Sequence, residues 1–342
     1  MDSRLCGKDN IIFIVYREIG IKLIDNLEQP WRPSASIETL RRRAKILANI
    51  RAFFSDRGYL EVETPIMARY GITDIYLSNI KAFFRDRPYC LQTSPEYHMK
   101  RLLAAGSGPI FQLARVFRDD ELGRWHNPEF TLLEWYQLDI DHHALMDEID
   151  DLLQQVLGCA PLIRRTYQDV FMASCGIDPM RATVEQLQHC VAQFNLSGVL
   201  DSDEQDCDQY LFLLMSHVVE PFLANMPAPV AVSDFPISQA SLAKVTNGVA
   251  ARFEVYYRGV ELANGFHELT DPVLQLARFE QDRATRAARG LEVSAIDDYL
   301  MQALQHGLPA CSGVALGIDR LLALVFAEPA ISACLSFDFS RA

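Results

Sequence analysis

The fold is decided by residues 117–130, which read FRDDELGRWHNPEF. Strand-like runs at 110–118 and 129–136 flank a polar loop in this stretch. The pattern predicts an antiparallel hairpin with a long loop. Arg118, at the end of the first strand, can hold a phosphate through its planar fork, and Phe130 offers a flat face to an adenine ring. An exposed hairpin with a charged tip explains the same residues equally well.

Helical and strand-like segments alternate on both sides of the hairpin. A helix is predicted from Ser36 to Gly58, and residues 59–65 alternate like a strand that Pro65 ends. Further helices are predicted at 95–105, 143–157, 183–193, 272–289 and 318–325, and further strands within 75–93 and at 252–257, 259–262 and 314–316. Antiparallel pairs flanked by helices indicate an α+β fold with an antiparallel β-sheet, and not a doubly wound parallel sheet.

The composition predicts a folded protein with a large core, since 49% of the 342 residues are hydrophobic. We expect an irregular N-terminal extension over residues 1–33 and one large domain over 34–342, with a helical insertion at 141–228. The net charge is −13. Phosphate contacts dominate nucleic-acid affinity, so this acidic balance counts against a nucleic-acid partner. The basic cluster at residues 41–45 is interpreted as a solvated helix face.

Cysteine spacing and apolar runs bear on the location of the protein. The eight cysteines are scattered without a CxxC pair, which predicts free thiols and argues against a cysteine zinc site or a redox motif. The apolar run at residues 11–16 is too short to span a bilayer and lacks the pattern of a signal-peptide cleavage site. The sequence therefore predicts a cytoplasmic protein without a membrane segment.

A second stretch with chemical character is residues 313–321, which read GVALGIDRL. Glycine allows a backbone to approach a ligand closely. Arg320 falls in the first turn of a predicted helix, where the helix dipole disfavours a cation unless an anion binds beside it. Arg320 is therefore a candidate phosphate-binding residue, although Gly-x-x-x-Gly turns are common without such a site.

Three glutamates, Glu254, Glu261 and Glu268, follow one another at intervals of seven residues on predicted strands. On paired strands their carboxylates can converge in one pocket. Converging carboxylates repel one another unless they hold a cation, either Mg²⁺ or an ammonium group. The alternative is two surface glutamates and one partner of an arginine.

Two further acidic residues stand near the ends of predicted elements. Glu96 follows Ser94 and Pro95 at the start of a helix, where Ser94 is a plausible N-cap. Glu134 and Tyr136 lie at the end of the hairpin. Taken alone, Glu96 is equally well explained as a surface residue that compensates the helix dipole.

In order along the chain, these stretches resemble the three signature motifs of class II aminoacyl-tRNA synthetases. Residues 58–65 resemble motif 1, whose proline ends a strand at the dimer interface, so the resemblance implies a homodimer. Residues 117–130 resemble motif 2, and residues 313–320 resemble motif 3. The amino-acid sequence of residues 93–96, 126–130 and 264–269 is similar to that of the lysyl-tRNA synthetases.

The resemblance implies an ATP site that uses Mg²⁺. It assigns Arg118 to the α-phosphate, Phe130 to the adenine and Arg320 to the γ-phosphate end, with the two arginines as catalytic residues. It assigns Glu254 and Glu261 to Mg²⁺. The further ATP-binding residues that it implies are Asp119, Asp120, Glu261, Leu262 and Gly317. Asp120 stands where this family usually has glutamate, so its contact is open.

The resemblance also implies a site for lysine or a lysine-like amino acid. Glu134, Tyr136 and Glu268 are assigned to the side-chain ammonium, and Glu96 to the other amine. A buried ammonium needs carboxylate and hydroxyl acceptors, which these residues supply. The remaining substrate-binding residues that it implies are Ser94, Pro95 and Ala315.

Fewer than 60 residues precede motif 1, so we do not expect the five-stranded anticodon-binding domain of bacterial lysyl-tRNA synthetases there. The chain thereby resembles the freestanding lysyl-tRNA synthetase paralogs that modify elongation factor P. This implies ATP-dependent activation of (R)-β-lysine or lysine and its transfer to a lysine ε-amine of that factor. Ala315 replaces a family glycine and would favour a shifted amine, unless it is a neutral packing change.

Three alternatives remain open from the sequence. A truncated lysyl-tRNA synthetase would still charge tRNA, which the acidic charge makes an unlikely partner. An inactive regulatory paralog would not need the retained Arg118, Glu261, Glu268 and Arg320. A paralog of the asparagine synthetase type would bind an acid, which the glutamates of the pocket would repel.

Overall fold

The computed structural model of the chain describes residues 31–119, 122–201 and 203–342. In chain order its strands are β1 Leu60–Glu61, β2 Met67–Ala68, β3 Lys81–Phe84, β4 Arg87–Leu91, β5 Ile110–Phe117, β6 Glu129–Leu138, β7 Ile163–Thr166, β8 Val230–Phe235, β9 Val245–Thr246, β10 Val249–Tyr257, β11 Val260–His267 and β12 Cys311–Gly317. Its α-helices are α1 Ile37–Ser55, α2 Glu96–Ala104, α3 His142–Leu157, α4 Tyr167–Cys175, α5 Val184–Gln193, α6 Cys207–Leu214, α7 Glu220–Leu223, α8 Pro272–Ala288, α9 Asp298–Gly307 and α10 Ile318–Phe326.

A nine-stranded sheet forms the centre of the fold, in the order β1-β5-β6-β12-β11-β10-β8-β7, with β9 on β10. Its central pairs are antiparallel, whereas β1 with β5 and β7 with β8 are parallel. Strands β2, β4 and β3 form a separate small sheet. The predicted α+β fold with a largely antiparallel sheet is confirmed.

The predicted hairpin is β5 and β6, whose register runs from Ile110↔Tyr136 to Phe117↔Glu129. The backbone N–H of Arg118 donates to the carbonyl of Pro128 at 3.0 Å and extends the pairing by one step. Residues 131–136 of β6 are buried without interruption and most of β5 is buried too, because both faces of the sheet are covered. The loop that follows is therefore held at the sheet edge by a rigid pair of strands.

Helix α1 begins where the capping signal predicts. The hydroxyl oxygen of Ser36 accepts from the backbone N–H of Thr39 at 3.0 Å, as an N-cap residue does. The basic cluster of this helix is not wholly solvated, contrary to the prediction. The guanidinium of Arg43 donates to Asp319 of α10 at 2.6 Å and to Thr131 of β6 at 3.1 Å. This buried pair ties α1 to the start of α10.

Two predicted elements differ in extent from the observed ones. Only Leu60 and Glu61 of the predicted strand 59–65 form a strand, because β1 pairs only with the first two residues of β5. Helix α2 starts at Glu96, with Pro95 as the residue before it, so the boundary lies one residue later than predicted. Ser94 still supports this end, since its Oγ accepts from the N–H of Glu96 at 3.0 Å.

The segment 141–228 contains helices α3 to α7 and also the strand β7. Because β7 pairs with β8, this segment joins the central sheet. Helix α3 packs on the sheet core through Leu145 and Ile149, which lie in one buried cluster with Phe253 and Val255. The division into an insertion and a main domain stays a prediction, and residues 1–30 of the predicted extension lie outside the described residues. Within the part of the chain described here, none of the helices has both the length and the apolar character required to cross a membrane.

Candidate active site

One large cavity of about 560 Å³ opens on the face of the sheet formed by β6, β12 and β11. This volume is in the range of small-molecule sites. The cavity brings together predicted site residues from stretches far apart in sequence. Those that line it are Ser94, Glu96, Arg118, Phe130, Glu134, Tyr136, Glu261, Leu262, Glu268, Ala315, Gly317 and Arg320.

The strand register explains this convergence. Ala315 of β12 pairs with Glu134 of β6 on one side and with Asn264 of β11 on the other. Paired residues on neighbouring strands point to the same face of a sheet. Asn264 therefore joins the site, a residue to which the sequence assigned no role. Its amide oxygen is buried and accepts no hydrogen bond from a described residue, so it is available to a ligand.

Because Gly313 has no side chain, the side chains of Tyr136 and Glu268 can pack at the acidic end of the cavity. A Cβ atom on this residue would lie 2.2 Å from the ring of Tyr136 and 2.8 Å from Oε1 of Glu268. Such distances are far inside van der Waals contact, so no other residue fits here without displacing both side chains. Packing at the acidic end of the cavity therefore requires a glycine at the start of motif 3.

Glu134 is held at this end by two hydroxyl donors. Its carboxylate accepts from Ser94 at 2.7 Å and from Tyr136 at 2.8 Å. Burial raises the pKa of Glu134 to about 7, the negative charge of Glu96 adds to the rise, and the two hydrogen bonds oppose it. A cation bound next to Glu134 would favour the ionised form of its carboxylate, so Glu134 is a suitable acceptor for an ammonium group.

Lys100, beside the acidic end of the cavity, is another residue that the sequence did not single out. Its ammonium lies 2.6 Å from Oε1 of Glu96 and 2.6 Å from Oε2 of Glu268, and the residue is 3% exposed. Burial lowers the pKa of Lys100, but the charges of Glu268 and Glu96 outweigh burial and the net pKa is raised. The Glu96–Lys100 spacing of one helical turn was the available sequence signal.

Glu268 forms a buried ion pair with Lys100 through its Oε2 at 2.6 Å, and Lys100 also donates a hydrogen bond to Glu96. The other carboxylate oxygen of Glu268, Oε1, accepts no hydrogen bond from a described residue. Burial raises the pKa of Glu268 to about 8, and Lys100 opposes that rise. A buried carboxylate with free acceptor positions is the arrangement that a substrate ammonium requires.

The opposite end of the cavity carries the two arginines. The guanidinium carbon of Arg118 lies 5.1 Å from the ring centre of Phe130. Arg320 donates to the carbonyl of Glu261 at 2.9 Å and to its carboxylate at 3.3 Å, and it contacts Nε2 of His126 at 2.8 Å. Arg320 therefore joins the motif 2 loop, β11 and α10. A negatively charged ligand can exchange for these contacts at the same guanidinium.

Three carboxylates lie beside the arginine end, around a second cavity of about 190 Å³. Glu254, Glu261 and Glu220 line it, and Glu261 also lines the large cavity. Glu254 accepts from Tyr256 and from Arg252. The structure thus places Glu254 and Glu261 around one cavity and Glu268 at the far end of the other, and not all three at one point.

Glu220 extends this acidic group. It begins α7 directly after a π-helical turn, Met215–Val219, and no motif marked it in the sequence. Burial raises its pKa to about 7, and the charges of Glu261 and Glu254 add to the rise. Oxygen donors of this kind suit Mg²⁺, which prefers carboxylates and water over nitrogen or sulfur ligands. The carboxylates of Glu254 and Glu261 therefore have the donor chemistry that Mg²⁺ accepts.

Of the remaining predicted residues, Pro95 and Asp119 line neither of the two cavities. Pro95 is buried behind Ser94 at the start of α2. Asp119 is exposed, and its backbone N–H donates to the carbonyl of Ser78 at 3.1 Å. Asp120 lies outside the described residues, so its assignment to ATP stays a prediction.

Comparison with known proteins agrees with this geometry. Residues 29–340 match the family model described as tRNA synthetases class II (D, K and N). The chain belongs to this class II tRNA synthetase family. The resemblance of the three motifs to class II synthetases is thereby confirmed, with all but the last two of the described residues inside the match.

Within the class II synthetases, the chain is similar to proteins named elongation factor P–(R)-beta-lysine ligase. The protein of that name from Salmonella gallinarum (strain 287/91 / NCTC 13346) is 52% identical over 321 residues, covering 91% of this chain and 98% of the relative. The one from Edwardsiella ictaluri (strain 93-146) is 51% identical with the same coverage. The narrower resemblance to the synthetase paralogs that modify elongation factor P is also confirmed.

Proposed function

We propose that this chain activates (R)-β-lysine, or lysine, with ATP and transfers it to a lysine ε-amine of elongation factor P. The names of the similar proteins support the reaction and the protein substrate. Mg²⁺, a homodimer and a cytoplasmic location belong to the same proposal, since the family and a translation-factor substrate imply them. The observation that carries the choice of amino acid is the charge of the buried pocket.

Glu96, Glu134 and Glu268 supply three carboxylates, and Lys100 supplies one ammonium. With all four ionised, the acidic end carries a net charge of −2 (three negative charges less one positive). Lysine and β-lysine each bring two ammonium groups, which balance this charge. A monoamine leaves one buried carboxylate without a cation, and such an uncompensated charge is costly. The pocket therefore selects a diamino acid.

The activation step needs two ends of one cavity. The carboxylate oxygen of the amino acid attacks the α-phosphorus of ATP, the bond from that phosphorus to the bridging oxygen breaks, and pyrophosphate leaves. Arg118 beside Phe130 is suited to hold the α-phosphate next to the adenine, and Arg320 to hold the far phosphates. Mg²⁺ held by Glu254 and Glu261 neutralises phosphate charge when it is bound.

The transfer step uses the same carbonyl group. The neutral ε-amine of the protein lysine attacks the carbonyl carbon of the adenylate, the bond to the AMP oxygen breaks, and AMP leaves. The attacking amine releases a proton to solvent. The chain positions the acyl group through the acidic pocket, so the reaction depends on orientation of two bound groups.

Ala315 supports the β-isomer within this proposal. It lines the cavity and packs with Phe130 against the buried cluster that contains Leu132. Its methyl group therefore lies on the cavity floor between the adenine end and the ammonium end. In β-lysine the amine is one carbon further from the carboxylate than in α-lysine, and this shift moves the ammonium away from such a methyl group.

Intact-mass measurement of elongation factor P tests the proposal. The factor is incubated with the enzyme, ATP and one lysine isomer at a time, with tRNA charging measured in parallel. We expect a mass increase of one lysine residue, largest with (R)-β-lysine. Robust tRNA charging without a change in the mass of the factor would favour a truncated synthetase instead. Absence of ATP–pyrophosphate exchange with every isomer would favour an inactive regulatory paralog.

The homodimer has its own support and test. Leu60, Ile66 and Met67, beside the motif 1 proline, are 54%, 44% and 41% exposed. Adjacent exposed apolar side chains of this kind mark association surfaces. Light scattering at micromolar concentration should give the mass of a dimer, and a monomer would contradict this part of the proposal.

A further inference from the structure

A group of metal-binding side chains lies outside the cavity described above. His142 and His143 open α3, and Asp234 lies near the end of β8. One ligand atom of each of the three residues can be chosen so that all lie within 4.8 Å of one another. The scattered cysteines gave no indication of this histidine pair.

This histidine group lies on the other face of the sheet from the ATP-binding residues. Phe253 and Val255 of β10 pack in the same buried cluster as Leu145 of α3. Side chains alternate between the two faces of a strand, so Glu254 points away from α3. The histidine group is therefore separate from the carboxylates proposed to hold Mg²⁺.

His142 has the features of a ligand that lacks its ion. The residue is 6% exposed, and neither of its ring nitrogens has a hydrogen-bond partner among the described residues. Its Nε2 faces Oδ1 of Asp234 at 3.6 Å, which is beyond hydrogen-bond distance. Buried polar side chains are nearly always hydrogen-bonded. The ring of His142 faces the carboxylate of Asp234 without bonding to it, so a third species is expected between the two groups.

The neighbours of His142 allow an ion to enter from solvent, and they offset the positive end of the helix beside it. His143 is exposed, and its ring centre lies 4.1 Å from that of His142, so the group opens to solvent. Asp141 caps α3 by accepting from the N–H groups of His143 and Ala144 at 3.0 and 2.9 Å. This carboxylate offsets the positive end of the helix, where a cation is otherwise disfavoured.

Asp234 is held in an unusual conformation at this point. Its φ is +61°, in the left-handed region that non-glycine residues seldom adopt. Strained backbone of this kind clusters at ligand and catalytic sites, where it directs a side chain. Its second carboxylate oxygen accepts from the hydroxyl of Ser233 at 3.1 Å, which fixes the orientation of the group.

We propose that His142, His143 and Asp234 bind one divalent transition-metal ion, with Zn²⁺ as the best match. Two imidazoles and one carboxylate are ligands that zinc accepts, with a water in the fourth position. Zinc ligands at bond lengths of about 2.0–2.2 Å lie about 3.4 Å from one another in a tetrahedron, so small side-chain rotations complete the site. The ion ties the start of α3 to the end of β8.

Metal titration of the full chain tests this site. Protein stripped with a chelator is titrated with Co²⁺ in the presence of millimolar Mg²⁺, which occupies carboxylate sites. We expect one equivalent to bind, with ligand-field bands of nitrogen and oxygen ligation, and Zn²⁺ to displace it. Thiolate-to-cobalt charge transfer would assign the ion to cysteines and overturn the proposal, as would no binding at micromolar free metal.

Two variants locate the ion without disturbing a buried ring. His143→Gln changes an exposed side chain, and Asp234→Asn keeps a residue that tolerates the left-handed conformation. Each should weaken Co²⁺ binding by more than about 100-fold, since loss of outer-shell partners alone costs 10–100-fold. His306→Gln, at an exposed histidine of α9, is the matched control and should bind like the parent. Equal affinity in the parent and in both site variants would refute the assignment.

Discussion

Replacing Lys100 with methionine tests whether the resident ammonium holds the acidic pocket together. Methionine keeps most of the apolar stem and removes the charge that lies 2.6 Å from both Glu96 and Glu268. The two carboxylates then face each other in a buried site. Removing one partner of a buried ion pair typically costs about 3–5 kcal/mol because the remaining charge is uncompensated.

The pH dependence of this loss follows from protonation. The carboxylate pair can escape the penalty by binding a proton, which costs about 1.4 kcal/mol for each pH unit above the ordinary glutamate pKa of 4.5. This protonation cost sets the upper limit of the stability that the variant loses, about 5 kcal/mol at pH 8 and about 2 kcal/mol at pH 6. A carboxylate whose folded pKa is raised loses stability as the pH rises, so the variant should be weakest in alkaline buffer.

Thermal and urea unfolding of the parent and of Lys100→Met at pH 6, 7 and 8 measure this effect. With an unfolding entropy of about 2.1 cal/mol/K per residue, a loss of about 3–5 kcal/mol at pH 8 corresponds to a melting temperature about 4–7 °C lower. Lys45→Met, at an exposed position of α1, is the control and should change the free energy of unfolding by less than about 0.5 kcal/mol. A loss that is equal at pH 6 and pH 8 would show that packing alone was removed and refute the charge argument.

Three further predictions concern substrate binding. Glu268→Gln should raise the KM of the amino acid by about 30-fold or more, since a lost charge-assisted contact costs about 2–5 kcal/mol, while the KM of ATP changes little. The KM of the amino acid should fall as the pH rises to about 7, the pKa of Glu134, because protons compete with the ammonium group below it. Gly313→Ala should impair amino-acid binding by overpacking against Tyr136, at about 1–3 kcal/mol, and leave adenine binding intact.

Each of these has an outcome that would contradict it. Equal loss of amino-acid and ATP binding in Glu268→Gln would reject its ammonium role. A KM for the amino acid that stays constant between pH 5.5 and 8 would show that Glu134 does not release a proton on binding. Retention of full amino-acid affinity in Gly313→Ala would mean that Tyr136 moves at no cost.

Local signals predicted most of the secondary structure. The Ser36 cap and the alternation on either side of the motif 2 loop each act within a few residues, so they can be recognised without knowing the fold. Where the predictions failed in extent, a distant partner was responsible. Residues 62–65 have strand character, but β5 offers a partner only to the first part of that stretch.

The large cavity shows the same division. Resemblance to a known family supplied most of its residues, from Ser94 to Arg320, because it assigns a role to positions inside and between the three motifs. Lys100, Asn264 and Glu220 were missed, since none of them belongs to a role that the quoted motifs assign. Arg43 was assigned to solvent because its partner, Asp319, is remote in sequence.

The sequence by itself determined the family, the order of the motifs and the elements that carry them, because capping, alternation and motif wording are local properties of the chain. Only the tertiary structure decided which charges meet. Strand register aligns Glu134, Ala315 and Asn264 across three strands, and the placement of α2 brings the ammonium of Lys100 between two glutamates. Electrostatic energies depend on distance and burial, and neither quantity exists until the chain has folded.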